Sequence, residues 1–379
     1  MASVDWTLLP EGFLQELFSV SGPSARFVCR SWGRVLALGV SKLSVHGLPP
    51  REGIFRVFAC VRELEWSCAY REPLLNAGHS FVHVHSLVLH HCDDDVLLEI
   101  CSGVHLPCLT LLDVSWSEDL TKKGLREMRQ LAGLKSLNLK GCERIRDASS
   151  ISNPALTSLH MGALKRLSST AFVRNLPSLT SLDFTYCDNV ACVAGISSLA
   201  SLELLRLKGT AVRKVAPPVS LTSLDLSYCN KLVSLGGLGR LSALTSLDLD
   251  NSRIEDAMLL EICDQLGTHG ALQNLILAPH SMTFITDAAL QGIGRIGSLT
   301  SLVLERNYRI TDAGMEHVGR LSRLTSLDLW QCSRITDAGL AQLGALESLT
   351  SLNIRLTAVT SLQCLSHLTA LTVISNLKM

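Results

Sequence analysis

Most functional classes are removed by what this sequence lacks. No apolar run reaches the ~18–20 residues that a bilayer-spanning helix needs. The opening MASVDWTLLPEG has no basic flank leading into an apolar core, so no secretory signal is predicted. No charge excess exists either. The chain carries 34 Lys and Arg against 34 Asp and Glu, which predicts no general affinity for nucleic acid or for a membrane surface. Asn-x-Ser/Thr sequons are absent. So are G-x-S-x-G, a P-loop, H-E-x-x-H and paired CxxC motifs, and the glycines of SLGGLGRLS follow no dinucleotide fingerprint. We expect no enzyme and no cofactor. The 13 cysteines are odd in number and show no paired spacing, so reduced thiols in a cytoplasmic or nuclear protein are expected.

What is present is repetition. LTSLDLSYCN at 221–230 returns as LTSLDFTYC from Leu179, LTSLDLDNS from Leu244, LTSLVLERN from Leu299, LTSLDLWQC from Leu324 and LTSLNIRLT from Leu349. Looser copies carry the frame from Val40 to Leu368, fifteen units at spacings of 19 to 28 residues. L-x-x-L-x-L-x-x-C/N is the signature of a leucine-rich repeat, one strand and one return segment per unit. Leu224 and Leu226 sit two apart and face one side, while Ser223, Asp225 and Ser227 face the other. No unit can bury its leucines alone, so neighbours stack. The predicted fold is an α/β leucine-rich-repeat solenoid: a curved parallel sheet on the concave face, helices and 3₁₀ turns on the convex face. We divide the chain into a helical segment at 1–39 and a repeat array at 40–379.

Two kinds of return are legible. ITDAALQGIGRIGS, ITDAGMEHVGRLSR and ITDAGLAQLGALES each start with Thr-Asp and place apolar residues at helical spacing, as at Leu340, Leu343 and Leu346. TAVRKVAPPVS and NKLVSLGGLGRLSA are shorter and rich in Gly or Pro, with room only for 3₁₀ or extended returns. Cys92, Cys142, Cys187, Cys229 and Cys332 share one frame position, where a residue turns inward and can satisfy neighbouring backbone groups. C-x-x-I-T-D-A-G-L from Cys332, echoed by CERIRDA from Cys142, resembles the cysteine-containing class of leucine-rich repeat found in substrate receptors of ubiquitin ligases. The middle units lean towards the shorter repeats of bacterial internalins.

Ahead of the array, LLPEGFLQELFSV and SARFVCRSWGRVLALG read as two amphipathic helices separated by a break. Leu9, Pro10, Leu14 and Phe18, then Val28 and Trp32, resemble an F-box, which begins L-P-x-x-x-L and closes V-C-x-x-W. The stretch between Phe18 and Val28 is shorter than the family's. The resemblance implies that these six residues bind the adaptor linked to a cullin. A plain helical cap over the first repeat is the alternative.

HSFVHVHSLVLHHCDDD invites a metal, with His83 and His85 on one side of a strand, yet no second ligand pair follows at structural-zinc spacing. We expect no metal. Asp93–Asp95 fit the start of a return helix instead.

A protein partner is expected on the concave face. Its middle row reads Asp113, Asn138, His160, Asp183, Arg206, Asp225, Asp248, Ile276, Val303, Asp328 and Asn353. After the last strand leucine most units carry a small or polar residue, whereas Glu305, Trp330 and Arg355 are large. With Arg206, Asp225, Asp248, Asp328 and Asn353 they form the candidate partner site, and Trp330 beside an arginine is the expected anchor. The row of aspartates has a second reading, as residues of the repeat frame. Trp116, Tyr186 and Tyr228 lie one position further along. The expected role is a non-enzymatic substrate receptor of a cullin-based ubiquitin ligase, or else a scaffold within a larger assembly.

Overall fold

The computed structural model describes residues 42–45, 62–67, 83–103, 106–193, 195–267, 271–279 and 285–375. Residues 1–39, with Leu9, Pro10, Leu14, Phe18, Val28 and Trp32, lie outside the described residues.

The described chain falls into two compact units that divide after Arg166. In the first, six parallel strands follow chain order: β1 (Lys42–Val45), β2 (Glu63–Ser67), β3 (Ser86–His90), β4 (Leu111–Asp113), β5 (Ser136–Asn138) and β6 (Ser158–His160). The second unit starts with β7 (Ser181–Asp183) and β8 (Leu204–Arg206). A two-stranded parallel ribbon on the return side comprises β9 (Lys214–Val215) and β11 (Ser234–Leu235). The main sheet continues through β10 (Ser223–Asp225), β12 (Ser246–Asp248), β13 (Asn274–Ile276), β14 (Ser301–Val303), β15 (Ser326–Asp328), β16 (Ser351–Asn353) and β17 (Thr372–Ile374). Each unit is a leucine-rich-repeat stack with its parallel sheet on one side and its returns on the other.

Register follows from the frame. Leu221, Leu224 and Leu226 are fully or almost fully buried, and Leu224 pairs in step with Leu205 and Leu247 of the neighbouring repeats. Each such leucine contributes about 1.5–3 kcal/mol by leaving water. The last repeat departs from the expected frame. A start at Leu368 would set Leu371 opposite Leu352, but Val373 holds that place. The slip is two residues, which keeps inward and outward faces unchanged.

The helical returns are α1 (Asp94–Gly103), α2 (Lys122–Glu127), α3 (Asp256–Gly267), α4 (Asp287–Ile293), α5 (Asp312–Val318) and α6 (Asp337–Ala341). Thr286, Thr311 and Thr336 are the N-caps of α4, α5 and α6, each hydroxyl accepting from the N–H two residues on. The neighbouring aspartate does something else. Its carboxylate reaches across to the next repeat: Asp287 accepts from Thr311 N (2.8 Å) and Oγ1 (2.6 Å), and Asp312 does the same for Thr336. Asp94 holds Thr121, Asp256 holds Thr286 and Asp337 holds Thr360 in the same way. The glycine of I-T-D-A-G follows from this ladder. A Cβ on Gly314 or Gly339 would run into the carboxylate of Asp287 or Asp312. The middle returns are 3₁₀ turns, Ile196–Ser198 and Leu238–Arg240, and the β9–β11 ribbon, as their length and glycines predict.

The frame cysteines turn inward and are fully buried. The thiols of Cys142, Cys229 and Cys332 each donate to the carbonyl of the residue just past the strand one repeat back, at 3.2, 3.1 and 3.1 Å. Asn307 and Ser252 make the same bond from the same position, at 2.7 and 2.5 Å. Burial pushes the Cys142 and Cys332 thiols up to about 12, so they stay protonated donors. None of the ten described cysteines is in a disulfide.

Candidate functional site

The outward side of the second unit's sheet presents three parallel rows. The first is almost all small: Ser223, Ser246, Asn274, Ser301, Ser326, Ser351. The middle row runs Arg206, Asp225, Asp248, Ile276, Val303, Asp328, Asn353, each residue opposite the next. The third row, just past the strands, carries Lys208, Ser227, Asp250, Ala278, Glu305, Trp330 and Arg355.

The middle-row acids and amides have a local task. One side-chain oxygen accepts the backbone N–H two residues on: Asp225 from Ser227 at 2.9 Å, Asp248 from Asp250 at 2.8 Å, Asp328 from Trp330 at 2.8 Å and Asn353 from Arg355 at 3.2 Å. This is the Asx turn, a side chain closing the bend that ends the strand. It explains why Leu-Asp-Leu keeps returning.

At the C-terminal end, the predicted residues come together in part. Asn353 Nδ2 donates to Asp328 Oδ2 at 3.0 Å. Burial, then the adjoining Asp328 carboxylate and the hydrogen bond shared with it, raise Glu305 above the ordinary carboxylate range. Trp330 is half-buried, and its ring is covered by the Arg306 guanidinium, 4.6 Å from the centroid. The guanidinium over the anchor is that of Arg306; Arg355, the arginine expected there, is exposed in the adjoining repeat. Sequence reasoning missed Arg306, although it holds the frame position of Tyr186 and Tyr228. That position adopts left-handed backbone in repeat after repeat, with φ of 58° at Tyr186, 61° at Tyr228 and 59° at Arg306.

Arg206, Asp225 and Asp248 lie further along the face, and Arg206 sits opposite Asp225. Asp248 is pushed up to about 6, by burial first and then by Asp225 and Asp250, against the pull of its backbone hydrogen bond and of Lys208. Lys208 places its ammonium 4.9 Å from the Tyr228 ring centroid. Tyr186 stays half-exposed and packs its ring over Gly209, where any Cβ would collide with it. In the first unit Trp116 covers Gly141 in the same manner, with Lys140 at 5.8 Å.

His85 Nδ1 lies 2.7 Å from the carbonyl of His83. Asp93 accepts from the N–H groups of Asp95 and Val96 at the start of α1, as its place in the frame predicts. Among the described residues no group of three or more His, Cys, Asp or Glu is arranged to hold a metal ion. No helix among them is long and apolar enough to cross a membrane.

No family model matches the sequence, and no curated protein aligns with it significantly. Solved structures do match. An internalin of Listeria monocytogenes superposes with a TM-score of 0.62 at 18% identity, over 99% of this chain and 100% of that one. A leucine-rich-repeat protein of Leptospira interrogans covers 89% of this chain and 93% of its own at 15% identity, with a TM-score of 0.46. At 18% identity the internalin likeness establishes the leucine-rich-repeat fold and nothing finer.

Proposed function

We propose that this chain is a non-enzymatic protein-binding module whose partner lies across the strand face of the second unit, with Trp330 as anchor. One observation carries the reading. Among small and acidic neighbours, a tryptophan stands outward with its ring under Arg306 and its backbone N–H tied to Asp328. Large rigid aromatics beside charge are what binding hot spots are made of. Glu305, Asp328, Asn353 and Arg355 surround it and fix orientation; Arg206, Asp225 and Asp248 extend the surface.

The finer reading adds the N-terminal segment. Leu9, Pro10, Leu14, Phe18, Val28 and Trp32 resemble an F-box, and an adaptor bound there would deliver the captured protein to a cullin-based ligase in the cytoplasm or nucleus. Ten thiols outside any disulfide, most of them buried, suit a reducing compartment. A scaffold whose head only covers the first repeat is the competing reading. Affinity capture of the full chain separates them: adaptor and cullin co-purify, and the triple change Leu14→Ser, Phe18→Ser, Trp32→Ser removes them. Their absence from the unmutated capture leaves the scaffold. The anchor is tested on whichever protein co-purifies directly. Trp330→Ala should weaken it by about 2 kcal/mol or more with an unchanged denaturation midpoint; a stability loss of that size with intact affinity places the site elsewhere.

A further inference from the structure

The middle row changes character once. Between Asp248 and Asp328 stand Ile276 and Val303, two half-buried aliphatic side chains facing outward, where the repeats on either side carry charged or amide residues. Ala278 continues the apolar floor into the third row. Around it lie four carboxylates: Asp248 and Asp250 on one side, Asp328 and Glu305 on the other.

The cations nearby are Lys208, drawn over Tyr228, and Arg306, drawn over Trp330. Both oppose the upward shifts of the acids beside them, yet Asp248 and Glu305 still stand above their ordinary range. Burial comes first among the causes, and four carboxylates thus border a patch that favours hydrocarbon.

We propose that this apolar gap and its ring of Asp248, Asp250, Glu305 and Asp328 seat a cationic segment of the protein partner, an apolar side chain lying between two arginines or lysines. The inference rests on the protein-binding reading and names its partner's chemistry. The spacing fits. Asp248 and Asp328 are three strand steps apart, about 14 Å. An extended segment covers nearly that distance in four residues, at roughly 3.3–3.4 Å each. Its central side chain then rests on Ile276 and Val303, and its cations lay their aliphatic stems on the floor with their heads among the carboxylates.

The repeat itself supplies variants that suit the frame. Asn138 and Asn353 close the same turn that Asp248 and Asp328 close, so Asp→Asn removes charge and keeps the turn's hydrogen bond, although at 328 it gives up the acceptor of the Asn353 amide. Asp and Asn occupy the middle row elsewhere, so Ile276→Asn and Val303→Asp suit the frame. The probe is a fluorescent peptide, Gly-Arg-Ser-Leu-Ser-Arg-Gly, titrated against the full chain. Controls replace both Arg by Glu, or Leu by Ser. The expected result is saturable binding of the Arg peptide and none of the Glu peptide. Asp248→Asn with Asp328→Asn should weaken it at least about tenfold, and Ile276→Asn or the Leu→Ser peptide roughly fivefold. No binding by the unmutated chain, or equal binding by the double variant, overturns the proposal. A failed titration alongside an intact Trp330 effect on the captured protein sinks only the cationic class; loss of both sinks the binding reading.

Discussion

At the scale of the residue, the frame positions are defined by the bond each side chain makes. Cys229 is fully buried and donates its thiol to Leu207 O at 3.1 Å, with Thr210 Oγ1 3.6 Å from the sulfur. Cys229→Ala should lower stability by about 1–3 kcal/mol, through lost packing and an unpaired carbonyl. Cys229→Ser should cost less, because Ser252 already makes that bond one repeat on; equal costs in urea titration would remove the hydrogen bond from the account. Gly209 has φ of +67° and a tyrosine ring where its Cβ would project. Gly209→Ala should cost about 1–2 kcal/mol or more, and adding Tyr186→Ser should recover the steric part; strict additivity of the two changes contradicts the contact. Asp248 titrates near 6 in the fold, above its ordinary 3.8. Its ionised form is the costly one, so the penalty is full above about pH 7, fades as pH falls through the folded value, and is gone below about pH 4. Asp248→Asn should therefore stabilise the protein by about 1–2 kcal/mol at neutral pH, solvent screening included, and by nothing in acid. A gain that persists below pH 4 means that charge is not its origin.

At the scale of the element, each return is tied to its neighbour more than to itself. Thr336 caps its own helix, while Asp312 of the preceding repeat grips the same threonine through both N–H and hydroxyl. Asp312→Ala should cost about 2–3 kcal/mol, with two charge-assisted bonds lost at a shared edge. Asp312→Asn, which keeps one acceptor for the Thr336 N–H and offers the hydroxyl oxygen an amide donor instead, should cost less. A loss under about 0.5 kcal/mol in chemical denaturation would mark the ladder as decoration. The strands and the kinds of return were legible in the sequence, because leucine spacing and Gly or Pro content act within one repeat. Thr-Asp was legible only as a helix start. The bond made by its aspartate crosses about 24 residues of chain, and no local pattern reports it. The same limit hid the glycine of I-T-D-A-G. It also hid the two-residue slip at β17, where Leu371 and Val373 offer equally good frames.

At the scale of the whole molecule, sequence reasoning reached the fold and the identity of the exposed rows, but not which neighbours meet across them. Glu305, Asp328 and Asn353 do meet. Trp330 meets Arg306, because the left-handed position of one repeat leans onto the turn of the next. Ile276 and Val303 stood in the row as plain frame members. Only their register between Asp248 and Asp328 turns them into a floor. The central claim is that partners lie on this face and not on the helices behind it. Site-specific photo-cross-linking in cells measures that directly. A benzophenone side chain at Asn353 or Ser301, on the strand face, should trap one discrete protein adduct, diminished at least about fivefold by Trp330→Ala. The same group at exposed Glu316 or Arg320, on the helical side, should trap none. Adducts formed from the helical positions and missing from the strand face would contradict the account.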